Sequence, residues 1–250
     1  MKSAVKTALV LGAMLTPALA TAAWDAVVDW AQQTELSTAT SGVVASVSVR
    51  AGQRVEKGAL LLQLEQRALR TAVEQGKAEQ EYASLLRDEA ARELERAEEL
   101  YARTLLADHD LNVAKIDYAK ANAAYQRSRA QYQDALQVLR HSELRAPFDA
   151  RVLARKVEPS QTVVSQLRAE PLLIIAAADK RVARFAVSAS ELEGMTAGKR
   201  VSVELDGKRH QGVVQSLSLL PTDSGEYLVE VEFETAQAAM PGSRATVTLP

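Results

Sequence analysis

Residues 66–141 constrain the fold more than any other stretch. In their second half Leu111, Ala114, Tyr118, Ala121, Tyr125, Ser128, Tyr132, Ala135 and Leu139 step by three and four without a break. That heptad spacing keeps one seam of a helix turned toward a partner helix. The first half keeps the same rhythm through Leu69, Val73, Gly76, Gln80, Ala83, Ala90, Leu94, Ala97 and Tyr101. It is less clean, because Gln80 and Arg87 fall on the seam while Leu85 and Leu86 crowd beside it. Proline is absent from residues 66–146, and Ala, Glu, Gln, Arg and Leu dominate, so propensity agrees with pattern.

Between the halves, across residues 104–110, the periodicity resets. Asp108 or Asp110 is expected to cap the returning helix, since a short carboxylate accepts free N–H groups at a helix start. The expectation is two antiparallel helices joined by a tight turn. At the helical rise, an arm of about 36 residues reaches about 55 Å, farther than a compact domain of this size is wide. A bundle within one domain is the alternative, but the narrow Ala- and Tyr-rich stripe suits a slender two-helix arm better.

The chain of 250 residues has room for two or three small domains. Its net charge of −2 gives no nucleic-acid surface, and the absence of cysteine excludes disulfides, thiolate metal sites and a lipid-anchored N-terminal cysteine. Residues 1–22 read as a secretion signal: Lys2 and Lys6, then an apolar run from Thr7 to Leu15. Small residues follow at Ala18 and Ala20, or at Ala20 and Ala22. The apolar run is short for a bilayer span, so an exported chain starting near Ala23 is expected, with an uncleaved anchor as the alternative.

The hairpin splits a β region. Before it, Val43, Val44, Val47 and Val49 read as a half-buried strand, Gly52 and Gly58 as tight turns, and residues 60–64 as a further strand. After it come residues 144–152, 157–163 and 172–175. Sliding this second segment back by 108 positions lays Val152 on Val44, Val157 on Val49, Gln161 on Gln53 and Val163 on Val55. Two quasi-repeats, each too small for its own core, are expected to bury their apolar faces on each other.

Residues 42–64 resemble the first half of a biotinyl/lipoyl-type module, which implies turns at Gly42, Gly52 and Gly58, and residues 144–149 resemble the start of its second half, which implies a turn at Pro147. A lipoyl module interrupted by a helical hairpin resembles the periplasmic adaptor proteins, or membrane fusion proteins, of tripartite efflux pumps (the HlyD/RND adaptor family). The second half departs from the family where glycine gives way to Ala150, Ser160 and Gln166. Ser160 or Gln166 is expected to be strained if φ stays positive there.

Beyond residue 176 short alternating strands follow near 182–187, 198–205, 211–217, 227–233 and 243–249, with a short helix capped by Ser188 or Ser190. This resembles the adaptor β-barrel, including Met240-Pro-Gly242 before the last strand. The expected architecture is therefore α+β and multidomain. Residues 34–65 with 143–176 form a lipoyl-like β-sandwich, split by a long antiparallel α-helical coiled-coil hairpin at 66–142. A small antiparallel β-barrel at 177–250 completes the chain. A membrane-proximal domain, for which only residues 24–33 remain, is expected to be absent or vestigial.

In this family the hairpin tip commonly carries an Arg, a Leu four residues on and a Ser seven further, which dock an outer-membrane channel. This chain matches with Arg96 and Leu100 and departs with Ala107. The bland reading of Arg96 is a solvated residue paired with Glu93 and Glu99.

Catalytic signals are thin. His109, His141 and His210 are far apart and the four methionines form no thioether cluster, so no metal, cofactor or enzymatic activity is expected. The resemblance implies a periplasmic adaptor joining an inner-membrane transporter, of the resistance–nodulation–division (RND) type or else an ABC exporter, to a TolC-type channel. It also implies self-association into a ring of three to six copies. The other classes are a free-standing coiled-coil scaffold and a true lipoyl or biotin carrier. The carrier needs an exposed lysine where the hairpin sits.

Overall fold

The computed structural model describes residues 23–165, 170–235 and 240–249. The expected signal segment and Gln166 lie outside the described residues. In chain order come β1 (Ala23–Trp30), β2 (Gln33–Leu36), β3 (Gly42–Val47), β4 (Arg54–Val55), β5 (Leu60–Leu64) and α1 (Arg67–Ala102). Helix α2 (Asp108–His141) returns to β6 (Glu143–Arg145), β7 (Ala150–Arg155), β8 (Thr162–Val163) and β9 (Leu173–Ala177). The remainder is β10 (Lys180–Val187), α3 (Ala189–Leu192), β11 (Arg200–Leu205), β12 (Lys208–Leu217), β13 (Tyr227–Glu234) and β14 (Arg244–Thr248). These fall into two compact units, residues 31–179 and residues 23–30 with 180–249.

Within the first unit two four-stranded sheets form, ordered β2-β9-β7-β4 and β6-β5-β3-β8. Each sheet takes two strands from before the helices and two from after them. Neither half can therefore complete a sheet alone. Val44 lies in one core cluster and Val152 in the other, and Val47 and Leu144 pack against both. The repeat extends to the hydrogen bonds: Gly52 N–H donates to Val152 O at 2.7 Å, and Ser160 N–H donates to Val44 O at 2.8 Å. The Gln53 side-chain oxygen accepts from Arg50 N–H at 3.0 Å, and that of Gln161 from Glu158 N–H at 3.1 Å. Both turns place their third residue in the left-handed region, Gly52 at φ 84° and Ser160 at φ 69°. That is the type II pattern, which favours glycine.

Gly58 (φ 83°) also occupies a turn, and Pro147 lies in the bend before β7. Gly42, expected in a turn, is instead the first residue of β3, paired with Val163. A Cβ there would sit 3.3 Å from Leu64 Cδ1, so close packing, not turn geometry, explains this glycine.

The two helices pack along one another. Every α2 residue of the heptad is buried or half-buried, and so is the α1 series from Leu69 to Ala97, Gln80 and Arg87 included. Two local devices permit this. Gly76 lets the backbones close up, since a Cβ there would lie 3.2 Å from Tyr132 Cα. The Arg87 guanidinium stacks 4.2 Å from the centre of the Tyr125 ring and bonds to Asp88, so a charged residue occupies the seam without facing an apolar surface alone. Tyr101, expected on the seam, is exposed, and Leu100 turns inward in its place. Alanine-rich contacts bury little: within the helices only Ala83, Leu111 and Ser128 are fully buried.

At the neck, Leu64 N–H donates to Ser142 O at 2.9 Å. Gln66 Nε2 bridges Ser142 Oγ (2.9 Å) and Glu143 Oε1 (3.1 Å). Arg145 first, and Gln66 after it, hold the Glu143 carboxyl below its usual range. Neither sandwich core cluster contains a helix residue among those described.

The second unit is a closed six-stranded barrel in the order β1-β10-β13-β12-β11-β14. Its first strand corrects the sequence reading, which began the barrel at 177 and set residues 24–33 aside. Trp24, Ala26 and Val28 alternate inward and join the barrel core, while β1 pairs with β10 and β14 to shut the cylinder. Closure leaves no unpaired sheet edge. Gly212 is required where β12 crosses the core, because a Cβ would meet Val231 Cγ1 at 2.5 Å. Outside, Asp29, Arg184, Glu230 and Ser216 link β1, β10, β13 and β12 in one ladder of hydrogen bonds of 2.7–2.8 Å. Glu230, with Asp29 behind it, raises the Arg184 pKa, and Arg184, then Ser216, lower that of Glu230.

Candidate docking site at the hairpin tip

Helix α1 ends in a hydrogen-bonded reversal. Thr104 N–H donates to Tyr101 O and Leu105 N–H to Leu100 O, both at 2.9 Å, the paired bonds of a Schellman stop. Glycine is the usual residue at the left-handed position of that motif. Here Thr104 takes it, with φ 59°. A β-branched residue in this region is strained, and no glycine marks the stop.

The returning helix starts one residue earlier than the carboxylates suggested. Ala107 is its N-cap, with φ −75° and ψ 150°, and makes no side-chain cap. Asp108 or Asp110, one of which was expected to be the cap, both lie instead inside the first turn. There they act on the helix dipole. Leu105 is 70% exposed at the apex.

Arg96 and Leu100 come together on one side of the tip, in a shallow groove that Leu106, Asp110 and Val113 complete. Its floor is apolar and its rim carries both signs of charge. Arg96 is exposed and pairs with Glu93 at 2.9 Å. Ala107 caps the neighbouring helix end and presents no hydroxyl. Leu105, Leu106 and Val113 were missed in the sequence, although an apolar pair inside a polar turn marks two of them. Among the described residues no group of His, Asp or Glu is arranged to hold a metal. No helix among them is long and apolar enough to cross a membrane.

Residues 32–170, more than half of the chain, match the CzcB-like, barrel-sandwich hybrid domain. The chain belongs to the CzcB-like barrel-sandwich hybrid family. Relatives of this barrel-sandwich hybrid protein include the nodulation protein NolF of Rhizobium meliloti (strain 1021), 32% identical over 132 residues. That match covers 53% of this chain and 36% of NolF, so the chain spans about a third of that relative's length.

Solved structures agree on the fold. The membrane fusion protein Spr0693 from Streptococcus pneumoniae R6 superposes with a TM-score of 0.67 at 14% identity, over 91% of this chain and 97% of that one. A MacA–MexA chimeric protein containing the Pseudomonas aeruginosa MexA α-hairpin domain gives 0.64 at 20% identity, over 91% and 80%. The barrel-sandwich hybrid, helical hairpin and barrel of this chain thus share the fold of these two proteins.

Proposed function

We propose that this chain is a non-enzymatic periplasmic adaptor linking an inner-membrane transporter to an outer-membrane channel of the TolC type. One observation carries the reading. A helix pair, 36 and 34 residues in its two arms, leaves a sandwich to whose core it contributes nothing. A helix pair without a role in the core is a means of reach, as the arm of an adaptor requires. In this reading the barrel holds the transporter, an RND pump first and an ABC exporter as the alternative. Three to six copies close into a ring, and energy comes from the partner. The groove of Arg96 and Leu100 meets the channel, with Ala107 as a departure that removes one hydroxyl contact.

Membrane pull-down tests this directly. With the intact chain, both a multi-span transporter and a channel are captured, and the transporter's sequence decides between RND and ABC partners. Leu100→Asp places a charge on the groove floor and is expected to lose the channel while keeping the transporter and the wild-type circular dichroism. Channel capture at the wild-type level would refute the tip assignment, and capture of no transporter would identify a free-standing scaffold.

A further inference from the structure

The two helices of the hairpin turn unlike edges away from one another. A residue midway between two seam positions four apart sits on the side of its helix farthest from the partner. On α1 those residues are Ala78, Leu85 and Arg92, and on α2 they are Ile116, Ala123 and Ala130. Along the α1 edge Leu85 is 65% exposed, with Tyr82 at 58% and Leu86 at 47% beside it, a ridge of large apolar side chains. Along the α2 edge Ala119, Ala123 and Ala130 are exposed, a strip of small ones. The seam accounts for neither, since it lies on the opposite side of each helix.

The crossing of the helices sets the heights. Gly76 lies against the backbone of Tyr132. Counting along both helices from that crossing, at their common rise, brings Ala78 level with Ala130, Leu85 with Ala123 and Arg92 with Ile116. The large side chains of one edge thus stand at the height of the small ones of the other. Charge follows the same order on the face that carries the tip groove. There Glu93, Glu89, Leu86 and Tyr82 form one stripe on α1, and Asp117, Lys120, Ala124 and Arg127 form one on α2. Glu89 comes within one residue of the level of Lys120, and Tyr82 within one residue of that of Arg127, the partners of an ion pair and of a cation–π contact. Within one hairpin these edges face apart, so only a second copy can bring them together. Glu74 and Asp134, two like charges, come level nearer the sandwich and end the match there.

We propose that copies of this chain pack arm against arm with their tips at one height, the Leu85 edge of α1 on one copy seated on the Ala123 edge of α2 on the next. The two edges differ, so the contact is heterologous, and repeated about an axis parallel to the arms it generates a ring. Such an axis leaves every height unchanged, which is the match the two edges make. This contact rests on the ring reading above and names its surfaces.

Because the chain has no cysteine, introduced thiols report this contact alone. Leu85→Cys with Ala123→Cys, in the full chain expressed in cells and treated with a short bismaleimide, should give a ladder of covalent oligomers ending in one closed species. Leu85→Cys with Ala130→Cys, about two turns out of register, should lose the ladder, and so should Leu85→Cys alone. Monomer only from the matched pair overturns the proposal, as does a ladder of equal strength from the mismatched pair. A dimer from Leu85→Cys alone also overturns it, because two α1 edges would then face each other. Lysine-reactive crosslinking of the unaltered chain in the same cells separates this contact from the ring itself. Oligomers there without a ladder from the matched pair leave the ring standing on another contact, and monomer in both removes the ring as well.

Discussion

Ser160 holds φ 69° where its counterpart Gly52 holds φ 84°, in turns whose hydrogen bonds match one for one. A side chain in the left-handed region costs about 1 kcal/mol. Ser160→Gly is therefore expected to raise unfolding stability by up to about 1 kcal/mol, read as a higher urea midpoint at unchanged slope, whereas Gly52→Ala lowers it. At the tip, Ala107→Ser restores a capping hydroxyl to α2 and should add about 1 kcal/mol to the same measurement. Gly212→Ala, with its Cβ 2.5 Å from Val231 Cγ1, should cost about 1–3 kcal/mol. The Ser160 strain was legible because the family that the sequence resembles usually has glycine where this chain has serine. The turn at the tip was legible from the break in periodicity across 104–110, but its stop and cap were not, because Thr104 takes a left-handed position that glycine usually holds and the carboxylates beside Ala107 mimic caps.

At the scale of elements, the helix seam was legible because it repeats over nine positions in α2, and periodicity averages out single exceptions such as Arg87. What periodicity could not give is the neck: Gln66, Ser142 and Glu143 meet across about 76 residues of sequence. Strand β1 was missed for a related reason. Its alternation of Trp24, Ala26 and Val28 is plain, but it lies beside a leader-like segment and its pairing partners are more than 150 residues away. The ladder on the barrel's exterior carries a pH dependence. Glu230 has a lowered pKa in the folded state, so its contribution is present above the ordinary carboxylate pKa and is lost as pH falls through the depressed value. Glu230→Gln should reduce stability at neutral pH by less than about 1 kcal/mol, since the pair is partly exposed, and flatten the acid limb of the stability curve. A series of thermal melts from pH 7 to pH 3 checks both.

At the scale of the whole molecule, the organising fact is that two half-modules exchange strands across an inserted helix pair. The two sides of the insertion meet at Leu64 and Ser142, so the helices can be removed without opening either core. A chain in which residues 66–141 are replaced by a two-residue turn should keep the sandwich's cooperative unfolding, whereas a chain ending at residue 142 should not fold its sandwich, having lost two strands from each sheet. The excised variant also decides the function. Expressed in cells and captured from solubilised membranes, it is predicted to retain the inner-membrane transporter and lose the outer-membrane channel. Retention of both partners would contradict the account, because the channel would then be reached without the arm.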